Sequence, residues 1–93
     1  MTSVVWTRLA IDDLASIHRS IADNDRTAAD RVQDRLSARI GQLADHPLIG
    51  RSGRVSGTRE LVVPGLPYIV VYRLTDDDRV RVLRVLHGAR KYP

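Results

Sequence analysis

The spacing of apolar residues changes once along this chain, and the change divides it into a helical half and an extended half. Between Ala10 and Ile21 apolar side chains recur at steps of four, three and four, and a second such series runs from Ala29 to Leu43. This spacing places each series on one stripe of a helix. From Arg59 onward the apolar residues form short continuous runs, which are typical of strands. With 93 residues the chain has room for one domain, residues 1–93.

The N-terminal half predicts a short strand and a hairpin of two helices. Residues 4–6 are β-prone, and Thr7 can cap the first helix, with Asp12 and Asp13 in its first turn, where they favour the helix dipole. Thr27, with an acid three residues later, has the spacing of a capping box and predicts the start of the second helix. The short polar link between the two stripes indicates that the helices are antiparallel.

The second half predicts three strands in sequence after a loop at residues 48–58. The strands are residues 59–63, Tyr68–Leu74 and Arg79–His87, and the middle one is apolar on both faces, which is typical of a central strand. The element order is therefore β-α-α-β-β-β. We expect an α+β fold in which the N-terminal strand and the helical hairpin pack on a mainly antiparallel sheet of about four strands.

Several classes of protein are excluded or disfavoured by composition. Cysteine is absent, which excludes disulfides, thiolate catalysis and cysteine-based zinc sites. His18, His46 and His87 lack the spacing of metal ligands, so we expect neither a metal nor a cofactor. The N-terminus does not resemble a signal peptide, and the most apolar stretch, residues 61–72, is interrupted by prolines and too short to span a membrane. We therefore expect a cytoplasmic protein.

Basic side chains are concentrated in the second half of the chain. Residues 1–46 carry six Arg and seven Asp, whereas residues 47–93 carry eight Arg, Lys91 and four acidic residues, a net charge of +5. This distribution indicates an anionic partner for the second half, and solvated surface arginines are the alternative explanation. Arginine also suits bidentate contacts with phosphate.

Three segments of the second half resemble a known family. They read Thr-Arg-Glu-Leu at 58–61, Tyr-Ile-Val-Val-Tyr-Arg at 68–73 and Arg-Val-Leu-His-Gly-Ala-Arg at 84–90, and a Pro-Leu-Ile-Gly connector at 47–50 precedes them. In this order, and with the helical hairpin, they resemble RelE/ParE toxins over nearly the whole chain. The resemblance implies a growth-inhibiting toxin of a type II toxin–antitoxin or plasmid stabilization system. Such a toxin is neutralised by a cognate antitoxin in a hetero-oligomeric complex.

The family divides between RelE-like mRNA interferases, which cleave ribosome-bound mRNA, and ParE-like inhibitors of DNA gyrase. Cleavage of RNA needs a base, positive charge on the phosphate and an acid for the leaving oxygen. The resemblance places Arg90 where RelE-like toxins keep a phosphate-binding arginine, and His87 and Tyr92 near positions where other members keep a His or Tyr. We predict these three as catalytic residues. The predicted RNA-binding residues are Arg51, Arg54, Arg59, Arg73 and Lys91.

Two features of the sequence favour different targets. Glu60, Val62 and Ile69 stand where well-studied RelE-like enzymes carry lysines and an arginine, which favours the gyrase alternative, while the basic second half favours RNA. The sequence analysis favours a ribosome-dependent endoribonuclease by a small margin. A non-enzymatic gyrase inhibitor and a degenerate toxin that only binds its antitoxin remain open.

Two structural expectations bear on these sites. In strand geometry His87 shares a face with Arg79, Arg81, Leu83 and Val85, and Arg84 points to the other face. We also expect the antitoxin to lay an amphipathic helix into a groove beside the helical hairpin. The small residues that permit close approach there are Ala22, Ala28, Ala29 and Ala44.

Overall fold

A five-stranded sheet with two helices makes up the part of the chain that the computed structural model describes, residues 2–88. The predicted α+β class and element order are confirmed, with one extra strand, because Arg51–Ser52 in the predicted loop pairs with the strand after it. The elements are β1 (Ser3–Trp6), α1 (Arg8–Ala22), α2 (Arg26–Gly41), a 3-10 turn (Gln42–Ala44), β2 (Arg51–Ser52), β3 (Arg59–Val62), β4 (Tyr68–Leu74) and β5 (Arg79–His87).

The strands lie in the order β1-β5-β4-β3-β2. β1 runs parallel to β5, and the other neighbouring strands are antiparallel. Parallel neighbours need a long connection, which the helical hairpin and three strands provide here. The prediction that β4 is central is confirmed, and its residues Val70, Val71 and Tyr72 are buried on both faces. β3 ends at Val62, one residue earlier than predicted.

The helices begin at positions that differ in part from those predicted. Thr7 caps α1 as expected, its hydroxyl accepting from the Ala10 amide at 3.1 Å. The first-turn placement of Asp12 and Asp13 is wrong, because α1 begins at Arg8 and both lie beyond its first turn. The capping box at Thr27 is also wrong, since the cap lies two residues earlier, at Asp25, whose carboxylate accepts from the Ala28 amide.

We call the side of the sheet that packs on the helices the helix face, and the other side the outer face. The core lies between the helix face and residues of α1, α2 and the 3-10 turn. Its buried members are Ala10, Leu36, Ile40, Leu43, Leu61, Val63, Val70, Tyr72, Val80, Val82 and Val85. Ala29 is fully buried as well. The expectation that Ala29 lines an antitoxin groove is therefore wrong, because its side chain is enclosed by the fold itself.

A β-bulge changes which residues of β5 share a face. Tyr72 of β4 pairs with Val82, but its neighbour Val71 pairs with Arg84, so Leu83 is an extra residue in β5. Beyond the bulge the alternation is reversed. His87 therefore lies on the helix face, and Arg84 lies on the outer face. The predicted grouping of His87 with Arg79 and Arg81 is wrong for this reason.

Asp13 joins α1 to β5 beyond the end of β1. Its carboxylate accepts from Arg84 Nε at 2.8 Å, from Arg84 Nη2 at 2.9 Å and from the backbone amide of Val85 at 2.9 Å. β1 pairs with β5 only as far as Val82, so the amide of Val85 has no strand partner on that side. The Asp13 carboxylate accepts the Val85 hydrogen bond that a longer β1 would have accepted, and it also binds Arg84 beside the bulge.

Tyr72 fixes the connector between the helices and the sheet. Its buried hydroxyl donates to the carbonyl of Pro47 at 2.8 Å and accepts from the amide of Gly50 at 2.9 Å. A Cβ at Gly50 would lie 2.7 Å from the Tyr72 ring and hydroxyl, so the contact requires glycine. Burial raises the pKa of Tyr72 above its ordinary value of 10.0.

Replacing Asp13 should show how much the fold depends on this carboxylate. We expect Asp13→Ala to lower the free energy of unfolding by about 2–3 kcal/mol, because it removes a charge-assisted pair and leaves the Val85 amide unpaired. Asp12→Ala is the matched control, since Asp12 forms an exposed pair with Arg8 at 3.5 Å and should change stability by less than about 0.5 kcal/mol. Urea unfolding followed by circular dichroism measures both, and equal losses would contradict the assignment.

Tyr72→Phe should destabilise the protein by about 1–3 kcal/mol at about pH 7, because the Gly50 amide and the Pro47 carbonyl lose their buried partner. The folded-state pKa of Tyr72 is raised, so its contribution is complete below the unfolded pKa and is lost as the pH rises through the folded pKa. The stability gap between wild type and variant should therefore narrow as the pH is raised above 10.0. Tyr68→Phe is the control, and urea midpoints that match the wild type at neutral pH would refute the role of Tyr72.

Candidate functional site

The outer face of the sheet contains two of the basic residues that the sequence singled out, Arg51 and Arg73. Following the strand pairing, its first row is Val5, Arg81 and Arg73, its second is Arg84, Val71, Glu60 and Arg51, and its third is Leu86, Ile69 and Val62. Glu60, Val62 and Ile69, where RelE-like enzymes carry basic residues, therefore share this face. The third row is entirely apolar, so positive charge is confined to the first two.

Glu60 is the buried acid of the outer face, with 4% of its side chain exposed. Its carboxylate accepts from Arg51 Nη2 at 3.2 Å and from the Arg54 backbone amide at 3.1 Å, and Arg54 Nε lies 3.9 Å away. Glu60 is thus not a simple surface strand residue. It holds the loop after β2 against the sheet and offsets the charges of two predicted RNA-binding arginines.

The other two predicted RNA-binding arginines of the described region lie on opposite faces. Arg59 lies on the helix face, where it pairs with Tyr72 and donates to the carbonyl oxygens of Gly50 at 2.8 Å and Leu48 at 3.3 Å. Arg59 therefore supports the connector from the helices. Arg73 lies on the outer face, exposed and directly opposite Arg81.

His87 is exposed at the end of β5, on the helix face. Its ring meets the Tyr68 ring edge-on, with centroids 5.9 Å apart. Together with Asp13, Ser16 and Ser20 of α1 it borders a cleft of about 210 Å³. Asp13, which borders this cleft, also binds the guanidinium group of Arg84. His87 lines a second, small depression together with Arg54 and Glu60, so the structure brings it near one of the predicted RNA-binding arginines.

The remaining predicted site residues, Arg90, Lys91 and Tyr92, lie outside the described residues. Tyr72, another titratable candidate, uses its hydroxyl for both connector hydrogen bonds. Within residues 2–88 no three His, Asp or Glu side chains form a group that could hold a metal ion. In the same range neither helix is both long and apolar enough to cross a membrane.

Arg81 is an outer-face arginine that the sequence analysis did not select, and it stands directly opposite Arg73. Its position follows from the Thr75–Asp78 turn, which brings Thr75 opposite Arg79 and hence Arg73 opposite Arg81. Counting outward from this turn would have paired the two arginines. The bulge at Leu83 lies beyond them and does not disturb the count.

Known proteins share this fold and much of this sequence. The family model described as the ParE toxin of the type II toxin–antitoxin system parDE matches residues 4–92. The candidate toxin Y4kP of Sinorhizobium fredii is 40% identical over 88 residues, covering 95% of this chain and 90% of that protein. Toxin RelE2 of Caulobacter vibrioides is 36% identical over 90 residues, covering 97% and 99%.

Two solved structures have similar backbones. A chain of the chromosomal ParDE system of P. aeruginosa superposes with a TM-score of 0.85 at 23% identity, covering 94% of this chain and 96% of that one. A chain of the toxin–antitoxin complex RelBE2 of Mycobacterium tuberculosis gives a TM-score of 0.62 at 26% identity, covering 92% and 96%. With the family model spanning nearly all 93 residues, this chain belongs to the ParE toxin family of type II toxin–antitoxin systems.

Proposed function

We propose that this toxin arrests growth in the cytoplasm by binding DNA gyrase, and that its cognate antitoxin prevents this binding. The observation that carries the proposal is that the fold itself engages most of the predicted phosphate-binding arginines of the described residues. Arg51 and Arg54 pair with the buried carboxylate of Glu60, and Arg59 donates to a carbonyl oxygen of the connector. RNA cleavage needs a cation that is free to bind the phosphodiester beside the general base.

The environment of Glu60 supports the same proposal. A catalytic base needs access to the proton that it removes. The Glu60 carboxylate is buried and already accepts from Arg51 and from the amide of Arg54. Its geometry is that of a structural group that organises a loop, and such a loop suits a protein-binding surface.

Cleavage of ribosome-bound mRNA is the second candidate function. It is favoured by the exposure of His87, the one side-chain type with an ordinary pKa near neutrality, at the end of β5. It is also favoured by the similarity to Toxin RelE2. In that case Arg90 and Tyr92, which follow His87 closely in sequence, would complete the site.

Substitution of His87 should separate the two functions. If the toxin acts on gyrase, expression of wild type or His87→Gln without antitoxin should arrest growth equally. Both purified proteins should then inhibit supercoiling by gyrase to within about twofold, while primer extension on a translated message shows no new ends. If the toxin cleaves mRNA, His87→Gln should reduce cleavage by about 100-fold or more, since a lost acid–base group typically costs that much.

Arg90→Ala provides a second test of the same choice. If the toxin cleaves mRNA, removal of a phosphate-stabilising cation should lower the cleavage rate by about two to three orders of magnitude. If the toxin inhibits gyrase by binding, it cleaves no phosphodiester bond, and the variant should show no such loss. New message ends at the ribosomal A site that vanish in both variants would reject the gyrase proposal. Normal growth at high levels of folded wild-type protein would reject both functions in favour of a module that only binds antitoxin.

A further inference from the structure

We propose that Arg73 and Arg81 form a binding site for the carboxylates of a short acidic segment of the cognate antitoxin. The inference rests on the toxin role stated above and adds the surface and the chemistry of recognition. The two residues are direct cross-strand partners between β4 and β5, on the outer face and close to the β4–β5 turn. Both side chains are exposed.

The pairing of two arginines is unfavourable unless an anion accompanies them. Directly opposed residues of an antiparallel pair have Cβ atoms about 5 Å apart, where like charges destabilise the sheet. Within residues 2–88 no carboxylate lies within ion-pairing distance of Arg73 or Arg81. Asp77, which the charge of Arg81 also influences, makes its ion pair with Arg79 at 3.3 Å. Among the described residues, the site therefore has two cross-strand arginines and no carboxylate that pairs with them.

The neighbouring arginines show that the fold otherwise supplies such counter-ions. On the outer face and at its borders, Arg84 is paired with Asp13, Arg79 with Asp77, and Arg51 and Arg54 with Glu60. Four of the six guanidinium groups there thus have an internal carboxylate. The other two, Arg73 and Arg81, stand directly opposite each other. We therefore place the negative charge of a partner at this pair.

The surroundings of the pair favour a short acidic peptide over a nucleic acid. Asp76, Asp77 and Asp78 form the adjacent turn, about 7 Å further along the strands at the usual rise per residue, and would repel a continuing chain of phosphates. Thr75 donates a hydrogen bond to Asp77 and Arg79 lies beside it, and both hold the pKa of this carboxyl below its ordinary value, so the turn stays negative. On the other side, Val5 of β1 lies in the same row and is 37% exposed.

A peptide can satisfy this mixture of groups. One or two carboxylates would bind the guanidinium groups in the bidentate manner that arginine favours, and an apolar side chain of the same segment would cover Val5. Duplex and single-stranded nucleic acids typically require a longer row of cations than the two that are available here. The occupant is therefore a segment of the antitoxin with one or two Asp or Glu beside an apolar residue.

The first test removes the two charges and measures antitoxin binding directly. Arg73→Gln/Arg81→Gln should weaken the affinity for the purified antitoxin about 100-fold at about 0.15 M salt, and the remaining affinity should depend less on salt. Arg26→Gln/Arg31→Gln on α2 removes the same net charge and should change the affinity by less than about threefold. Equal losses in both double variants would overturn the proposal, because they would reflect net charge alone.

The second test supplies the missing carboxylate from within the chain. A Cβ at Gly57 would lie 3.9 Å from Nε and Nη2 of Arg73, and Gly57 has a φ of +81°. Asp and Asn tolerate this backbone conformation about equally, so Gly57→Asn is a matched control for Gly57→Asp. The Asp variant should bind antitoxin about tenfold more weakly than the Asn variant. Equal affinities, with both variants folded by circular dichroism, would count against the site.

The outcomes also distinguish this inference from the proposed function. Antitoxin affinity is measured without gyrase or ribosomes, so absence of gyrase inhibition would leave this test unaffected. Conversely, unchanged antitoxin affinity in Arg73→Gln/Arg81→Gln would overturn the inference alone. If that variant instead lost binding to a single-stranded RNA of about 20 nucleotides, the arginine pair would be assigned to nucleic acid.

Discussion

The carboxylate of Asp13 connects the helical and the extended halves of this protein at the point where the sheet is incomplete. β1 has four residues and β5 has nine, so β5 continues past the end of its parallel neighbour. Asp13 occupies that edge and binds both the Val85 amide and the Arg84 side chain. Arg84 lies immediately after the extra residue Leu83, so the same carboxylate holds the strand where its alternation reverses.

The reversal determines which chemistry the two faces can carry. Without it, His87 would share the outer face with Arg79 and Arg81. With it, the histidine lies near Tyr68 and α1, and the outer face is left with arginines and the buried carboxylate of Glu60. One extra residue in β5 thus determines which face of the sheet His87 joins. On the outer face the Glu60 carboxylate pairs with Arg51 and Arg54, so two of its arginines are engaged within the fold.

The sequence predicted those parts of the fold that depend on local spacing. The stripes of Ala10 to Ile21 and Ala29 to Leu43 specify two helices, and the apolar run of β4 specifies a central strand. The bulge at Leu83 leaves no local pattern, because Val82, Leu83 and Val85 are all apolar and fit either register. The two residues of β2 were missed since their strand pairing depends on β3 and on the contact of Arg51 with Glu60 nine residues away.

Arginine content alone also gives too coarse a prediction of the site. A net charge of +5 in residues 47–93 suggests an anionic partner for the whole half, yet most of its described arginines act within the fold. Arg59 binds connector carbonyl oxygens, and Arg51, Arg54, Arg79 and Arg84 bind carboxylates. An internally paired guanidinium group has already lost hydration water and side-chain mobility, and its charge is offset by the carboxylate. Only a guanidinium group without such a pair therefore offers its full charge to a partner. The position of each carboxylate, more than the number of arginines, therefore indicates where this toxin meets another molecule.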